Sequence, residues 1–264
     1  MARSPLDAVL ERASTLADAA RLIRTLTAAL ADVPLMLPDG LPHLPAAATR
    51  LAAGIPALEG ELLLSDAALV ANVELLARAL GLDGAASLCA RITGDELATA
   101  ALQGDWPAIA AAGVRLDCAP DAFVTLCDFA ARPALRAGRA AVDGLLAAAR
   151  WRRGTCPACG APPLLAELGA AERERRLRCG RCAAAWTFPR LRCPACDASE
   201  HRNFRYLHDE GGGDSRRVEV CDGCGTYLKS VAVLDPLSVE QLLEMDLATA
   251  ALDAEAIALG LRHV

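Results

Sequence analysis

The sequence predicts an α+β protein: an all-helical N-terminal domain, a small β-rich module and a short helical tail. Alanine and leucine, both strong helix formers, dominate the first 150 residues and raise the hydrophobic content of the chain to 54%. Eight of the eleven cysteines are then concentrated between Cys156 and Cys224, where the helical spacing stops. Helical character returns after Pro236. We therefore expect domains at 1–150, 151–234 and 235–264.

Residues 1–150 carry apolar side chains at helical spacing, interrupted by proline and glycine. A first helix is expected from about Ser4 to Val33, with Ser4 as its N-cap. Four prolines between Pro34 and Pro45 exclude a continuous helix there, and Arg132-Pro133 predicts another break. The further helices are expected at about 46–53, 60–80, 84–91, 95–102, 106–112, 119–131 and 133–150.

Four Cys-x-x-Cys knuckles define the β-rich module, and two thiolates in such a turn can hold one side of a tetrahedral metal ion. Four knuckles therefore predict two metal sites. The predicted ligands are Cys156, Cys159, Cys179, Cys182, Cys193, Cys196, Cys221 and Cys224. Sequential pairing, first knuckle with second and third with fourth, is the simplest arrangement, and it predicts a double rubredoxin- or zinc-ribbon-like module with one separate β-hairpin for each ion. A cross-braced arrangement, first with third and second with fourth, is the alternative. Cys89, Cys118 and Cys127 lie in the helical part and are expected to be non-ligands.

The metal ions are expected to supply the stability that the module lacks. Each half has about 40 residues and few large apolar side chains, too few for a self-sufficient core. Structural metal sites of this kind contribute on the order of 10–16 kcal/mol in small zinc modules. Four thiolates leave no open coordination position for substrate or water, which argues against hydrolytic catalysis. Zinc and iron both fit such a ligand set.

Short β-like runs separate the knuckles. Trp186 and Phe188 alternate with polar positions and are expected on one face of a strand. Runs at 203–207 and 218–220 flank a glycine-rich stretch, which predicts a hairpin, and 227–233 predicts one more strand. Ser238 is expected to cap a helix to about Leu247, and a second tail helix is expected near 253–260.

Charge is distributed unevenly along the chain and bears on the choice of partner. Residues 151–230 carry 14 Lys and Arg against 10 Asp and Glu, whereas both flanks are acidic and the whole chain has a net charge of −6. The arginines predict a basic surface, so a nucleic-acid-binding zinc ribbon is one alternative function. Acidic neighbours and few aromatic residues argue against nucleic acid as a partner. A redox-active iron–thiolate protein is another alternative.

We expect a cytoplasmic protein with no membrane span. The N-terminus has no apolar run of the secretory kind, and no later stretch reaches the length of a membrane-spanning helix. In a reducing compartment, cysteines paired at this spacing are more typical of metal ligands than of disulfides.

The residues between the cysteines carry a family resemblance. Three stretches, Cys156–Gly160, Leu177–Cys196 and Glu219–Lys229, together with Met245–Asp253 in the tail, resemble the formate dehydrogenase accessory protein family, FdhE. The resemblance covers about 155–260 and is loose in the helical part. It implies a non-enzymatic factor for assembly or activation of formate dehydrogenase that binds the catalytic subunit. It also implies iron at rubredoxin-like sites, with zinc as the alternative.

A partner surface is hypothesised beside the knuckles. Arg190, Arg192 and Tyr227-Leu228-Lys229 are expected to contact an acidic face of the catalytic subunit. The sequence does not settle whether the protein forms a homodimer.

Overall fold

The computed structural model describes residues 14–31, 33, 44–82, 96–169, 174–208 and 215–264. Contacts divide the chain into two compact units. The helical unit comprises 21–149 and 158–161, and the cysteine-rich unit comprises 1–20, 150–157 and 162–264. The predicted Ser4 cap, the helix at 84–91, Cys89 and most of the glycine-rich hairpin tip lie outside the described residues.

Helices make up the N-terminal part, as the sequence predicts. Their bounds are α1 Ser14–Ala31, α2 Leu44–Ala52, α3 Asp66–Ala79, α4 Glu96–Gln103, α5 Trp106–Arg115, α6 Pro120–Ala141 and α7 Asp143–Ala148. The start of α3 is later than expected because Ser65 caps it, accepting a hydrogen bond from the Ala68 amide. Residues 60–65 are consequently a loop rather than the first turns of a helix.

Helix α6 is the centre of the helical unit, and it continues through the predicted break at Arg132-Pro133. Proline in a helix interior removes a hydrogen bond and costs about 3 kcal/mol. Eleven buried residues along α6 offset that cost. Arg132 contributes as well, because its guanidinium pairs with Asp128 at 2.7 Å and lies 3.7 Å from the Phe129 ring centroid. The helix ends instead at Ala141, with Val142 as its C-cap.

The cysteine-rich unit contains a seven-stranded sheet. The strands are β1 Leu165–Gly169, β2 Arg175–Arg178, β3 Ala185–Thr187, β4 Phe204–His208, β5 Arg216–Cys221, β6 Thr226–Val233 and β7 Arg262–His263. Strands β1–β3 form a first ribbon and β4–β6 a second, each antiparallel within itself. Trp186 and Phe188 are both buried, as the alternation predicts.

A parallel pairing joins the two ribbons. Strand β1 runs beside β6 with Ala166 opposite Ser230, so the sheet order is β3-β2-β1-β6-β5-β4. The sequence analysis did not predict β1, this pairing or β7, which continues the same edge of β6. The ribbons therefore form one continuous sheet rather than two separate hairpins.

Two tail helices, α8 Val239–Ala248 and α9 Ala250–Ala258, cover one face of this sheet. Ser238 caps α8 in a reciprocal capping box with Gln241, which confirms the predicted helix start. Leu242 and Met245 of α8 pack on Leu165 and Val231. Helix α9 begins earlier than expected and packs Leu252 and Ala256 against a cluster that includes Val218, Val220 and Tyr227.

Candidate metal centres

Each of the four knuckles ends in a residue with left-handed backbone geometry. The residue directly after the second cysteine has φ of +77° at Gly160, +63° at Ala183, +66° at Asp197 and +68° at Gly225. Glycine adopts this geometry without steric cost, whereas other residues pay about 1–2 kcal/mol. The sequence signalled the turn only where glycine is present. The repetition at Ala183 and Asp197 shows that the knuckle itself demands this geometry.

The eight predicted ligands gather into two groups. Within each group the sulfur atoms all lie within 4.8 Å of one another. The groups follow the sequential pairing and not the cross-braced one. Site 1 comprises Cys156, Cys159, Cys179 and Cys182, and site 2 comprises Cys193, Cys196, Cys221 and Cys224. Cys118 and Cys127 belong to neither group, and the described residues contain no disulfide.

Sulfur spacing within the groups fits a tetrahedral ion. The Sγ atoms of Cys156 and Cys182 are 3.5 Å apart, and the pairs Cys193–Cys224 and Cys196–Cys221 are each 3.7 Å apart. Metal–sulfur bonds of about 2.3 Å in a tetrahedron place the sulfurs about 3.8 Å apart. A disulfide would bring two of them to about 2.05 Å. Both groups could therefore hold a metal ion through four thiolates.

The two sites differ in solvent exposure. Cys156, Cys179 and Cys182 of site 1 are fully buried. In site 2, Cys196 is exposed and Cys224 is half-buried. The residues around a four-thiolate site control how far solvent reaches it. Site 2 is therefore more accessible to solvent than site 1.

A threonine hydroxyl supports site 2. The Oγ1 atom of Thr226 lies 3.0 Å from the Cys224 sulfur and 3.7 Å from the Cys193 sulfur. Burial opposes ionisation of Cys224, but the hydrogen bond from Thr226 favours the thiolate, and the pKa of Cys224 is lowered to about 7. Burial, in contrast, raises the pKa of Cys221 to about 12. The hydroxyl thus favours the charged form of one ligand, the form that binds metal.

Arg175 links the first ribbon to the second. Its guanidinium forms an ion pair with Glu219 of β5 at 2.7 Å and donates to the carbonyl oxygens of Pro189 and Arg192 at 3.1 Å. Only 3% of Arg175 is exposed, and this burial lowers the pKa of the guanidinium. The backbone at Gly154 also lies against the backbone at Pro194. Glycine is required there, because a Cβ atom would lie 2.0 Å from the Pro194 carbonyl oxygen.

Comparisons with known proteins relate this chain to the FdhE family. Residues 191–263 match the family described as FdhE, C-terminal domain. The chain is 35% identical over 105 residues to protein FdhE of Escherichia coli O127:H6, covering 39% of this chain and 33% of that protein. It is 37% identical over 101 residues to the FdhE homolog of Stutzerimonas stutzeri A1501, covering 37% of this chain and 32% of the homolog.

A solved structure extends the likeness to the helices. The crystal structure of the FdhE protein from Pseudomonas aeruginosa superimposes with a TM-score of 0.71 at 25% identity. The superposition covers 98% of this chain and 90% of that chain. The resemblance to the FdhE family is confirmed. The curated FdhE sequences are matched over only about a third of their length, whereas the FdhE fold is shared over nearly the whole chain.

Part of the hypothesised partner surface is wrong. Tyr227, Leu228 and Lys229 are at most 2% exposed because β6 lies between two strands and under the tail helices. If only one face of the strand were covered, every second side chain would be exposed. Strand β6 is instead buried on both faces. Arg190 is exposed and Arg192 is half-buried in an ion pair with Asp197, which raises the pKa of the guanidinium.

The sequence analysis also missed supporting residues in this FdhE-like sheet. Thr226 had a usable signal, since a hydroxyl side chain stands only two residues after Cys224 in the sequence. Arg175 had none, because its partners lie 14 to 44 residues away in sequence. Within the described residues, no helix is both long and apolar enough to cross a membrane.

Proposed function

We propose that this chain is a non-enzymatic accessory factor for assembly or activation of formate dehydrogenase. The observation that most strongly supports this proposal is the FdhE fold, which extends over 98% of the chain. The FdhE family, which the sequence resembles, implies that role and a cytoplasmic setting. Two sites of four thiolates support it from the chemistry, because each closed site offers no position for a substrate.

The eight clustered cysteines are proposed as the ligands of two ions. Iron is preferred, because the resemblance implies rubredoxin-like sites, and zinc is the alternative. The ions would supply the stability that the ribbons lack, since the four thiolates of each site come from two different turns. Elemental analysis of protein purified without added metal tests the identity. A visible absorption spectrum separates ferric thiolate centres from colourless zinc.

The catalytic subunit of formate dehydrogenase is proposed as the partner, bound through the basic surface that Arg190 and Arg192 form beside site 2. A nucleic-acid role receives less support, because Arg175, Arg178 and Arg181 of the expected basic patch are at most 8% exposed. Side chains that are buried in this way cannot contact the phosphates of a nucleic acid.

Complementation tests the accessory role. A bacterial strain whose FdhE gene is deleted should regain formate dehydrogenase activity when this chain is expressed. Failure to restore activity, with the protein folded and metal-loaded in the same cells, would argue against the role.

A pull-down tests the surface. The double variant Arg190→Glu/Arg192→Glu should capture less catalytic subunit than the native chain, by about tenfold. The matched control is Arg152→Glu/Arg202→Glu, since both of these arginines are exposed. Unchanged capture by the first variant, or equal loss in both, would contradict this surface. Metal content is measured for each variant, because Arg192 precedes a ligand.

A further inference from the structure

A pocket of about 250 Å³ opens in the helical unit. The loop between α2 and α3 forms one wall, and α4 and α6 form the others. Its floor is apolar, with Leu58, Leu63 and Leu102 buried beneath it. Glu59 and Glu61 lie at its rim, and Cys159 of the first knuckle lines one side. An apolar floor below a polar rim is the usual composition of a binding site.

The pocket is held in shape by contacts that do not involve a ligand. Arg50 donates to the Ala57 carbonyl oxygen at 2.9 Å and 2.7 Å and forms an ion pair with Glu61. The Leu58 amide donates to the Ala158 carbonyl oxygen at 2.9 Å. On α6, a Cβ atom at Gly138 would lie 2.7 Å from Leu63, so glycine is what lets the floor pack closely. The loop is thus preorganised.

Its size limits the occupant. Pockets for drug-sized ligands have volumes of about 300–1,000 Å³, so this one is too small for a nucleotide or a large cofactor. One long side chain fills a volume of this order. Lysine and arginine place an aliphatic stem on apolar surface while the charged head stays at a polar edge. The pocket offers both environments, because buried leucines and an exposed glutamate line it.

The negatively charged side chains that line the pocket favour a positively charged occupant. Glu59 is exposed at the rim of the pocket. The ion pair with Arg50 compensates the charge of Glu61 but not that of Glu59. A metal ion bound at Cys159 and the three other thiolates of site 1 would add negative charge beside the pocket, because four thiolates outweigh the charge of one ion. We propose that this pocket binds a lysine or arginine side chain of an extended segment in a partner polypeptide. The proposal goes beyond the accessory role and does not depend on which enzyme is the client.

Labelled peptides test the pocket directly on the full-length, metal-loaded protein. The probe is Gly-Ser-Leu-Arg-Leu-Ser-Gly, followed by fluorescence anisotropy. Its partner probe replaces arginine with citrulline, a neutral residue of the same shape. The arginine peptide should bind at least about tenfold more tightly, because a partly desolvated ion pair contributes about 1.4 kcal/mol or more.

Three variants locate the binding. Glu59→Lys should weaken binding of the arginine peptide by about tenfold through repulsion. Gln103→Trp should do the same by filling the mouth of the pocket, where Gln103 is exposed. Glu255→Lys is the matched control, an exposed glutamate on α9 that should change binding by less than about twofold. Circular dichroism confirms that each variant is folded.

Several outcomes would overturn the proposal. Equal affinity for the arginine and citrulline peptides would exclude charge selection. Equal weakening by Glu59→Lys and Glu255→Lys would indicate attraction to the acidic chain as a whole. No binding at about 1 mM peptide would exclude the pocket as a site of useful affinity. None of these results bears on complementation, so failure here is separable from failure of the accessory role.

Discussion

At the scale of single residues, each of the four knuckles places one residue in left-handed backbone geometry. Two of these four residues are not glycine. Ala183 and Gly225 follow equivalent cysteines, with φ of +63° and +68°. A Cβ atom at Gly225 would meet nothing within 4 Å, so the backbone alone decides the effect of substitution there. The two positions form a reciprocal pair for measuring this cost.

Ala183→Gly should stabilise the metal-loaded protein by roughly 1 kcal/mol, because glycine relieves the strain at positive φ. Gly225→Ala should destabilise it by a similar amount for the opposite reason. Denaturant unfolding followed by tryptophan fluorescence measures both. A destabilising Ala183→Gly, with Gly225→Ala neutral, would show that the left-handed geometry is not a requirement of the knuckle.

Thr226→Val should weaken metal binding at site 2 by about tenfold and leave site 1 unchanged. Valine keeps the volume but removes the hydroxyl that lies 3.0 Å from the Cys224 sulfur. Partners in the outer shell of metal sites contribute about 10–100-fold to affinity. Competition with a chromogenic chelator gives the two affinities.

Ser230→Ala is the control for that substitution. The Ser230 hydroxyl is buried on the same strand and has no hydrogen-bond partner in the described part of the chain. Its removal should leave both affinities unchanged. Equal weakening by both substitutions would assign the effect to packing of β6 rather than to the hydroxyl.

The gathering of the eight cysteines into two groups could be predicted because its signal is local. Two cysteines at x₂ spacing imply a turn that needs no distant information. The partner surface failed for the opposite reason. Whether Lys229 faces solvent depends on the strand order and on the tail helices, and neither is encoded within a few residues of it.

At the scale of elements, a buried lysine fastens the tail to the sheet. Lys229 of β6 is 1% exposed, and its ammonium lies 2.5 Å from carboxylate oxygens of both Asp246 and Asp253. It also donates to the Asp246 carbonyl oxygen at 2.8 Å, while the Tyr227 hydroxyl donates to Asp253 at 2.9 Å. Burial raises the pKa of Tyr227, and the hydrogen bond to Asp253 raises it further. One cation therefore anchors both tail helices.

Lys229→Met should cost about 3 kcal/mol, because it leaves two carboxylates without their cation. The unfolding free energy should fall, and amide hydrogens of α8 and α9 should exchange faster. Hydrogen exchange with mass spectrometry localises the change. The combined variant Lys229→Met/Asp246→Asn/Asp253→Asn should regain part of the loss, since it removes the unpaired charges. Unchanged exchange in the tail of the single variant would contradict the anchoring role.

Helices were predicted better than strands, for a physical reason. Helical spacing and caps such as Ser238 are visible within a few residues. Strand β1 gains its stability from pairing with β6, some 60 residues later in the chain, and β7 has only two residues. Pro133 misled the prediction because local helix propensity was outweighed by the buried face of α6.

At the scale of the whole molecule, the parallel pairing of β1 with β6 couples the two metal sites. Each ribbon contributes one half of a single sheet, so unfolding of one ribbon exposes an edge of the other. The sequence predicted two separate ribbons, each with its own ion. The structure instead places both within one seven-stranded sheet.

Removal of the metal should therefore unfold the sheet while most helical signal remains. After treatment with a strong chelator, far-ultraviolet circular dichroism should keep its helical minima, because the helical unit contains no complete metal site. Limited proteolysis should then cleave first within 150–264. Retention of protease resistance there after complete metal loss would contradict a stabilising role for the ions.

The central claim is that two separate ions are held, one by the first and second knuckles and one by the third and fourth. Native mass spectrometry of serine variants tests it most directly. Substitution of all four cysteines of the first and second knuckles should leave one ion per chain, and substitution of those of the first and third should leave none. The reverse pattern would establish cross-braced sites, and a native chain without two ions would contradict the account itself.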